Sequence, residues 1–280
     1  MDGSYDGLLA LASVVAHEAA ELIRSRRRGE VEVSETKSSP VDIVTEVDKA
    51  AESLIFERLL AARPGDGFMG EEGASSESTS GVTWIVDPID GTVNFLYGIP
   101  QYSVSIAASS HGEVVAGVVL NVESRECYAA TLGGGATCND APLQVREVVP
   151  MAQRLVVTGF SYVSDVRVRQ AGAVASLLGR VRDIRRLGSA ALDLCFVAGA
   201  RVDAYVEEGL NPWDMAAGGL IATEAGARLE TRPGIGGREC VVCGPAEGFE
   251  ELLQVVAECG FLRGAESGIG GNQVDPGETE

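Results

Sequence analysis

The apolar residues of this chain change period near residue 82, and that change limits what the first half can fold into. From residue 5 to 28 they fall at Leu8, Leu11, Ala12, Val15, Ala19, Leu22 and Ile23, the spacing of a helix with one buried face. A second helix is predicted to begin near Thr45. There Thr45-Glu46-Val47-Asp48 has capping-box spacing, Val47, Ala51, Leu54 and Ile55 form a core face, and Pro64-Gly65 stops the helix. Between the two lies a polar segment, Ser34 to Pro40, read as a mobile loop. From Val82 the runs become short and β-rich: Val82 to Val86, Tyr102 to Ala108, Glu113 to Asn121 and Glu126 to Thr131. Residues 1–150 are therefore expected to form an α+β lobe, helices packed on a mainly antiparallel sheet.

After residue 150 strands and helices alternate. A strand near Leu155 precedes helices at Val168 to Leu178 and Ala190 to Ala198. A strand at Val202 to Val206, a helix at Asp214 to Ala225, strands at Ala227 to Thr231 and Cys240 to Cys243, and a helix from about Ala246 to Glu258 follow. This alternation predicts a second, α/β lobe over residues 151–262, and the glycine-rich acidic stretch 263–280 reads as a flexible tail. Gly-Ile-Gly-Gly occurs at 234 and 268 without the strand, helix or Lys-Ser/Thr of a nucleotide loop.

The chain has 22 basic and 41 acidic residues, a net charge of −19, which argues against nucleic acid and anionic membrane as partners. Its basic cluster, Arg24 with Arg26, Arg27 and Arg28, closes the first helix, where cations complement the dipole. No apolar run reaches the length of a membrane span and no signal-like segment opens the chain, so a cytoplasmic protein is expected. Six scattered cysteines suit a reducing compartment, and Cys240-Val-Val-Cys243, with no second pair or nearby histidine, reads as strand packing rather than a zinc or redox site.

The chemistry points to Trp84-Ile85-Val86-Asp87-Pro88-Ile89-Asp90-Gly91-Thr92-Val93-Asn94-Phe95. An apolar run ends in two carboxylates three residues apart, with a proline between them and a glycine and a hydroxyl residue after them that can open a helix. Carboxylates suit a hard cation, and N–H groups at a helix start suit a phosphate. A strongly acidic protein that binds an anion must locally reverse its own field, and bound divalent cations are the usual means. By itself the segment also fits an ordinary Asp-Pro turn before a capped helix. Two more acidic clusters accompany it, Gly70-Glu71-Glu72-Gly73 and Trp213-Asp214-Met215-Ala216-Ala217-Gly218. Neither histidine, His17 or His111, lies near these motifs, so a histidine nucleophile is not expected.

Together, and in this order, the three segments resemble the signature of the inositol monophosphatase family, a likeness that runs from about residue 5 to 260. The resemblance implies a layered α-β-α-β-α sandwich of the sugar-phosphatase type, homodimeric, Mg²⁺-dependent and lithium-sensitive. It implies Glu71, Asp87, the Ile89 carbonyl, Asp90 and Asp214 as metal ligands. Thr92, hydrogen-bonded to Asp48, would help Glu71 and a metal orient and deprotonate the attacking water, and Gly91, Thr92 and Asp90 would lie at the phosphate. Lys37, in the polar loop, matches a lysine beside the site in relatives. Glu207 matches a glutamate that accepts from ring hydroxyls and Gly188-Ser189-Ala190 a pocket loop, with Arg186 and Ser161 as further candidates for the pocket wall. Asn94-Phe95 resembles the inositol-type branch, so myo-inositol 1-phosphate is the first expected substrate, with fructose 1,6-bisphosphate and histidinol phosphate as alternatives. Gly159-Phe160-Ser161-Tyr162 and Glu208 after Glu207 depart from the animal pattern. A regulatory or interaction protein on a phosphatase scaffold is the rival of another class.

Overall fold

The computed structural model describes residues 5–27, 33–36 and 43–264. Helix α1 (Asp6–Arg27) buries Leu8, Ala12, Val15, Ala16, Ala19, Ala20 and Ile23 as one stripe and carries Arg24, Arg26 and Arg27 in its last turn. Strands β1 (Val33–Thr36) and β2 (Ile43–Thr45) pair antiparallel. Residues 34–36, expected in a mobile loop, are thus strand: their backbone groups find partners in β2, which their polar side chains do not signal. Lys37 lies outside the described residues. Helix α2 (Glu46–Ala62) opens with the expected capping box: Thr45 accepts from the Val47 and Asp48 N–H groups, and Asp48 accepts from the Thr45 N–H.

Next come β3 (Gly67–Gly70), β4 (Ser75–Ser76), β5 (Val82–Asp90), helix α3 (Thr92–Tyr97), β6 (Ser103–Ser110), β7 (Glu113–Asn121), β8 (Cys127–Thr131), β9 (Gly135–Cys138) and β10 (Ala141–Pro142). They form an eight-stranded sheet in the order β10-β9-β8-β7-β6-β5-β3-β4. Only the β3–β5 pairing is parallel. Successive residues face opposite sides: Val104, Ile106 and Ala108 pack with α1 and α2, whereas Ala107 joins the core on the other face.

The rest of the chain supplies β11 (Leu155–Thr158), α4 (Ser164–Leu178), β12 (Asp183–Arg185), α5 (Ala190–Ala198), β13 (Ala204–Glu208), α6 (Pro212–Glu224), β14 (Ala227–Pro233), β15 (Glu239–Pro245) and α7 (Phe249–Glu258). A five-stranded mixed sheet runs β12-β11-β13-β15-β14, with β11 parallel to β12 and β13. Helices α5 and α6 lie between the sheets, sharing one core with Ala107 and Val119 on one side and Tyr205, Val241 and Cys243 on the other. Helices α4 and α7 cover the outer face through Leu177, Phe249, Leu252 and Val256. The layers thus run α-β-α-β-α, as the resemblance implied. Cys240 and Cys243 fall into cores on opposite faces of β15, and burial pushes both thiols up to about 12. They are packing residues. Arg263, at the start of the expected tail, still donates its N–H to Pro233 O; residues 265–280 lie outside the described residues. Among the described residues no helix is long and apolar enough to cross a membrane.

Candidate active site

Strand β5 pairs with β6 at Asp87–Ser105 and again at Asp90–Ser103, so β5 carries an extra residue between the two points. Pro88, which has no N–H to offer a ladder, sits in this bulge. Asp87 Oδ1 accepts the Ile89 N–H (3.0 Å), and the Ile89 side chain is buried in the core beneath α1 and α2. Gly91 then takes φ 98°. A Cβ there would stand 3.0 Å from both Gln101 O and Gly188 O, so glycine is required on two counts. Helix α3 starts at once, its first N–H groups without intrahelical acceptors.

Other elements converge on this strand end. Asp90 Oδ2 accepts from the Ser189 hydroxyl (2.5 Å) and the Ala191 N–H (2.8 Å), and Oδ1 from the Ala190 N–H (3.2 Å), which ties β5 to the start of α5. Asn94 Nδ2 donates to Gln101 O and Leu187 O, both at 2.7 Å. Asp214, in the first turn of α6, accepts the Asn211 N–H at 2.6 Å. Glu71 follows β3 and donates its N–H to Val86 O (3.1 Å). Its turn is held by Glu52 of α2, which accepts the N–H groups of Glu72 (2.7 Å) and Ala74 (2.8 Å). Thr92 Oγ1 lies 3.1 Å from both Asp48 Oδ1 and Ile89 O.

Glu71, Asp87, Ile89, Asp90, Thr92 and Asp214 line one cavity of about 430 Å³. Burial, with the charges of Glu71, Asp90 and Asp214, holds the Asp87 carboxyl well above the usual carboxylate range, and Asp87 is hydrogen-bonded to Glu71. Burial raises Asp90 to about 7 against the Ser189 and Ala191 bonds, and raises Asp48 to about 6 against its Thr45 bonds. Asp214 is also held well above its ordinary value, first by burial and then by Asp90, Glu71 and Glu207. Among the described residues no three acids stand as an assembled ion-binding shell. The chemistry of the donor set nevertheless fits a hard divalent cation, with carboxylates, a carbonyl and a hydroxyl as oxygen ligands. Two carboxylates about 4 Å apart repel by about 4 kcal/mol at an effective dielectric near 20, which a bound cation offsets.

The second sheet supplies the rest of the wall. Glu207 on β13 accepts from the Tyr205 hydroxyl (2.8 Å), and burial raises its pKa. A Cβ at Gly159 would stand 2.0 Å from Glu207 Oε2, so the glycine there leaves room for that side chain. Ser161, Arg186, Gly188 and Ala190 line the same cavity. Every site residue expected from the sequence is therefore brought together except Lys37, which is not described, and Asp48, which reaches the site through Thr92. Asn211 and Arg238 of the wall, and Glu52 behind it, were not foreseen.

Five alternating layers around a carboxylate-lined cavity define a sandwich of the sugar-phosphatase type. The chain belongs to the inositol monophosphatase family, whose model matches residues 5–266. It is 46% identical over 266 residues to the inositol-1-monophosphatase SuhB of Mycobacterium tuberculosis, covering 88% of this chain and 92% of that protein. It is 38% identical to the Nus factor SuhB of Pseudomonas aeruginosa, covering 89% and 95%. The crystal structure of the extragenic suppressor protein suhB from Bartonella henselae superposes with a TM-score of 0.83 at 33% identity, covering 89% of this chain and 98% of that one.

Proposed function

We propose that the protein is a Mg²⁺-dependent phosphomonoesterase acting on a small polyol or sugar phosphate, with myo-inositol 1-phosphate first among its substrates. The observation that carries this reading is the meeting of Glu71, Asp87, Asp90 and Asp214, from separate elements, in one cavity beside the start of α3. These carboxylates and the Ile89 carbonyl would hold Mg²⁺. When bound, the ion supplies Lewis acidity toward a phosphoryl oxygen and offsets the carboxylate charge.

The chain's own groups then divide the work. Gly91 and Thr92 offer backbone N–H groups to the phosphate, where negative charge grows as the ester bond breaks. Thr92 Oγ1 and Glu71 orient the attacking water. Asp48, raised to about 6 and 3.1 Å from Thr92 Oγ1, is tuned to take up a proton through that hydroxyl near neutral pH. Water oxygen bonds to phosphorus, the bond to the polyol oxygen breaks, and the alcohol leaves protonated from solvent. Glu207 accepts from a ring hydroxyl, with Ala190 and Arg186 beside it. The cytoplasmic location and homodimeric assembly expected from the sequence belong to the same proposal.

Phosphate release measured with and without Mg²⁺ over inositol 1-phosphate, fructose 1,6-bisphosphate, histidinol phosphate and a nucleoside bisphosphate tests the reading. The expected outcome is Mg²⁺-dependent turnover with the highest kcat/KM on inositol 1-phosphate. A preference for the second or third substrate would move the assignment within the fold, and no release from any would overturn it. Relatives named Nus factor SuhB favour a second reading, a regulatory role on the same scaffold. The complete acid set supports catalysis, and a turnover-dead variant that still replaced the protein in cells would favour regulation.

A further inference from the structure

The two groups that orient the attacking water in the proposed reaction, Thr92 and Glu71, stand on different elements, the start of α3 and the turn after β3. One helix reaches both. Helix α2 carries two carboxylates four residues apart, Asp48 and Glu52, which the helical repeat sets one turn above the other on a single face. Both are buried, Asp48 at 0% and Glu52 at 3% exposure. Asp48 Oδ1 lies 3.1 Å from Thr92 Oγ1, and Glu52 faces the turn that carries Glu71.

Glu52 holds that turn with both of its oxygens. Oε2 accepts the Glu72 N–H (2.7 Å) and Oε1 the Ala74 N–H (2.8 Å). Gly70 N–H closes the turn on Ala74 O (2.9 Å), and Glu71 N–H donates to Val86 O of β5 (3.1 Å). The Glu71 backbone is thus held by a strand on one count and by a buried acid on the other. Space is tight as well: a Cβ at Gly70 would stand 2.2 Å from Glu52 Oε2. An amide cannot take over this role, because it offers one acceptor oxygen and its NH2 would meet the second N–H donor. A carboxylate buried this far is costly unless it is hydrogen-bonded, and backbone bonds already close the turn. What the two oxygens add is a fixed distance between the Glu71 turn and the helix that also reaches Thr92. Glu52 itself stands behind the cavity wall rather than in it.

We propose that Glu52 is a positioning residue of the hydrolytic step: by tying the 71–74 turn to α2 it sets the Glu71 carboxylate against the Thr92 hydroxyl, so that one helix governs the spacing of both water-orienting groups. This rests on the phosphatase reading above.

The test is Glu52→Gln, assayed on the Mg²⁺-loaded enzyme with the phosphate that the wild type prefers. It is expected to lower kcat about tenfold with KM nearly unchanged, and to weaken calorimetric Mg²⁺ binding by about the same factor. In the metal-free protein the Glu72 and Ala74 amides should exchange with solvent faster than in the wild type. Gly70→Ala displaces the same carboxylate while keeping its charge, and should reproduce the losses of kcat and Mg²⁺ affinity. Arg63→Gln, which removes the ion pair to Asp66 at the far end of α2, is the control: it should lower the urea midpoint and leave kcat and Mg²⁺ affinity at wild-type values. Unchanged kcat and Mg²⁺ affinity in a folded Glu52→Gln would overturn the proposal. So would losses in Arg63→Gln equal to those in Glu52→Gln, the sign of a helix that is merely softened. If Glu52→Gln does not fold, Gly70→Ala decides by the same measurements. If the wild type releases no phosphate from any substrate, the phosphatase reading fails, and the positioning role stands or falls on whether Glu52→Gln weakens Mg²⁺ binding.

Discussion

At one end of the cavity the acids leave the bulge of β5 and the first turn of α6, and Asp90 and Asp214 are held by backbone N–H groups. At the other end Ser161, Arg186 and Arg238 hang on connections of the second sheet, and Arg186 and Arg238 are exposed. The acid end is desolvated and over-determined, whereas at the recognition end only Glu207 is desolvated and the two arginines stand in solvent. In the proposed function, chemistry that depends on carboxylate placement is thus built into element termini, and selection among substrates would fall to groups that can change without disturbing them.

The sharpest way to break this contrast is Asp90→Asn. The amide oxygen can keep the Ser189 and Ala191 bonds and lose only the 3.2 Å Ala190 bond, so the circular dichroism spectrum should be unchanged. Turnover should nevertheless fall by more than about 100-fold on every substrate; near-normal kcat would remove Asp90 from the ligand set. Gly91→Ala should cost about 1–2 kcal/mol in urea unfolding, because it imposes a left-handed residue against two carbonyl oxygens. No shift in the midpoint would show that the turn is softer than described. At the recognition end, Glu207→Gln should raise KM for inositol 1-phosphate about tenfold through one weakened charged hydrogen bond, with the Mg²⁺ dependence of turnover unmoved. A shifted Mg²⁺ dependence would mean that the two ends are not separable.

The smallest effect lies outside both ends. Arg201 donates to both oxygens of Glu126, the shorter bond from Nη2 and the other from Nη1 at 2.9 Å, and holds that carboxyl below its ordinary range. A lowered folded-state pKa contributes stability above the unfolded pKa, and that contribution is lost as pH falls through the folded value. Glu126→Gln should therefore destabilise at pH 7 by less than about 1 kcal/mol, as befits a partly exposed pair. The difference from wild type should vanish in strong acid. A gap that persisted at pH 2 would point to packing instead.

The acid end was legible in the sequence because one strand, bulge and helix start supply Asp87, Ile89 and Asp90 within a few residues. The Thr45 capping box was legible for the same reason: its partners are local. Glu52 and Glu208 were not, since each acts by accepting N–H groups twenty or more residues away, and nothing beside them in the chain distinguishes them from surface acids. Strand β3 escaped notice because glycines stand at both of its ends, and β12 because three residues show no period. Arg238 ends a glycine-rich turn whose Gly236 and Arg238 N–H groups donate to Glu208, a partner that the local sequence does not reveal.

Helices α5 and α6 touch so closely that a methyl group at Gly218 would meet Ala191 O at 2.9 Å. Since α5 begins at the anchor of Asp90 and α6 carries Asp214, any wedge driven between them would pry apart two of the acids proposed to hold the cation. Defects deep in the protein, far from solvent and substrate alike, should then register as weakened Mg²⁺ affinity before they register as lost fold.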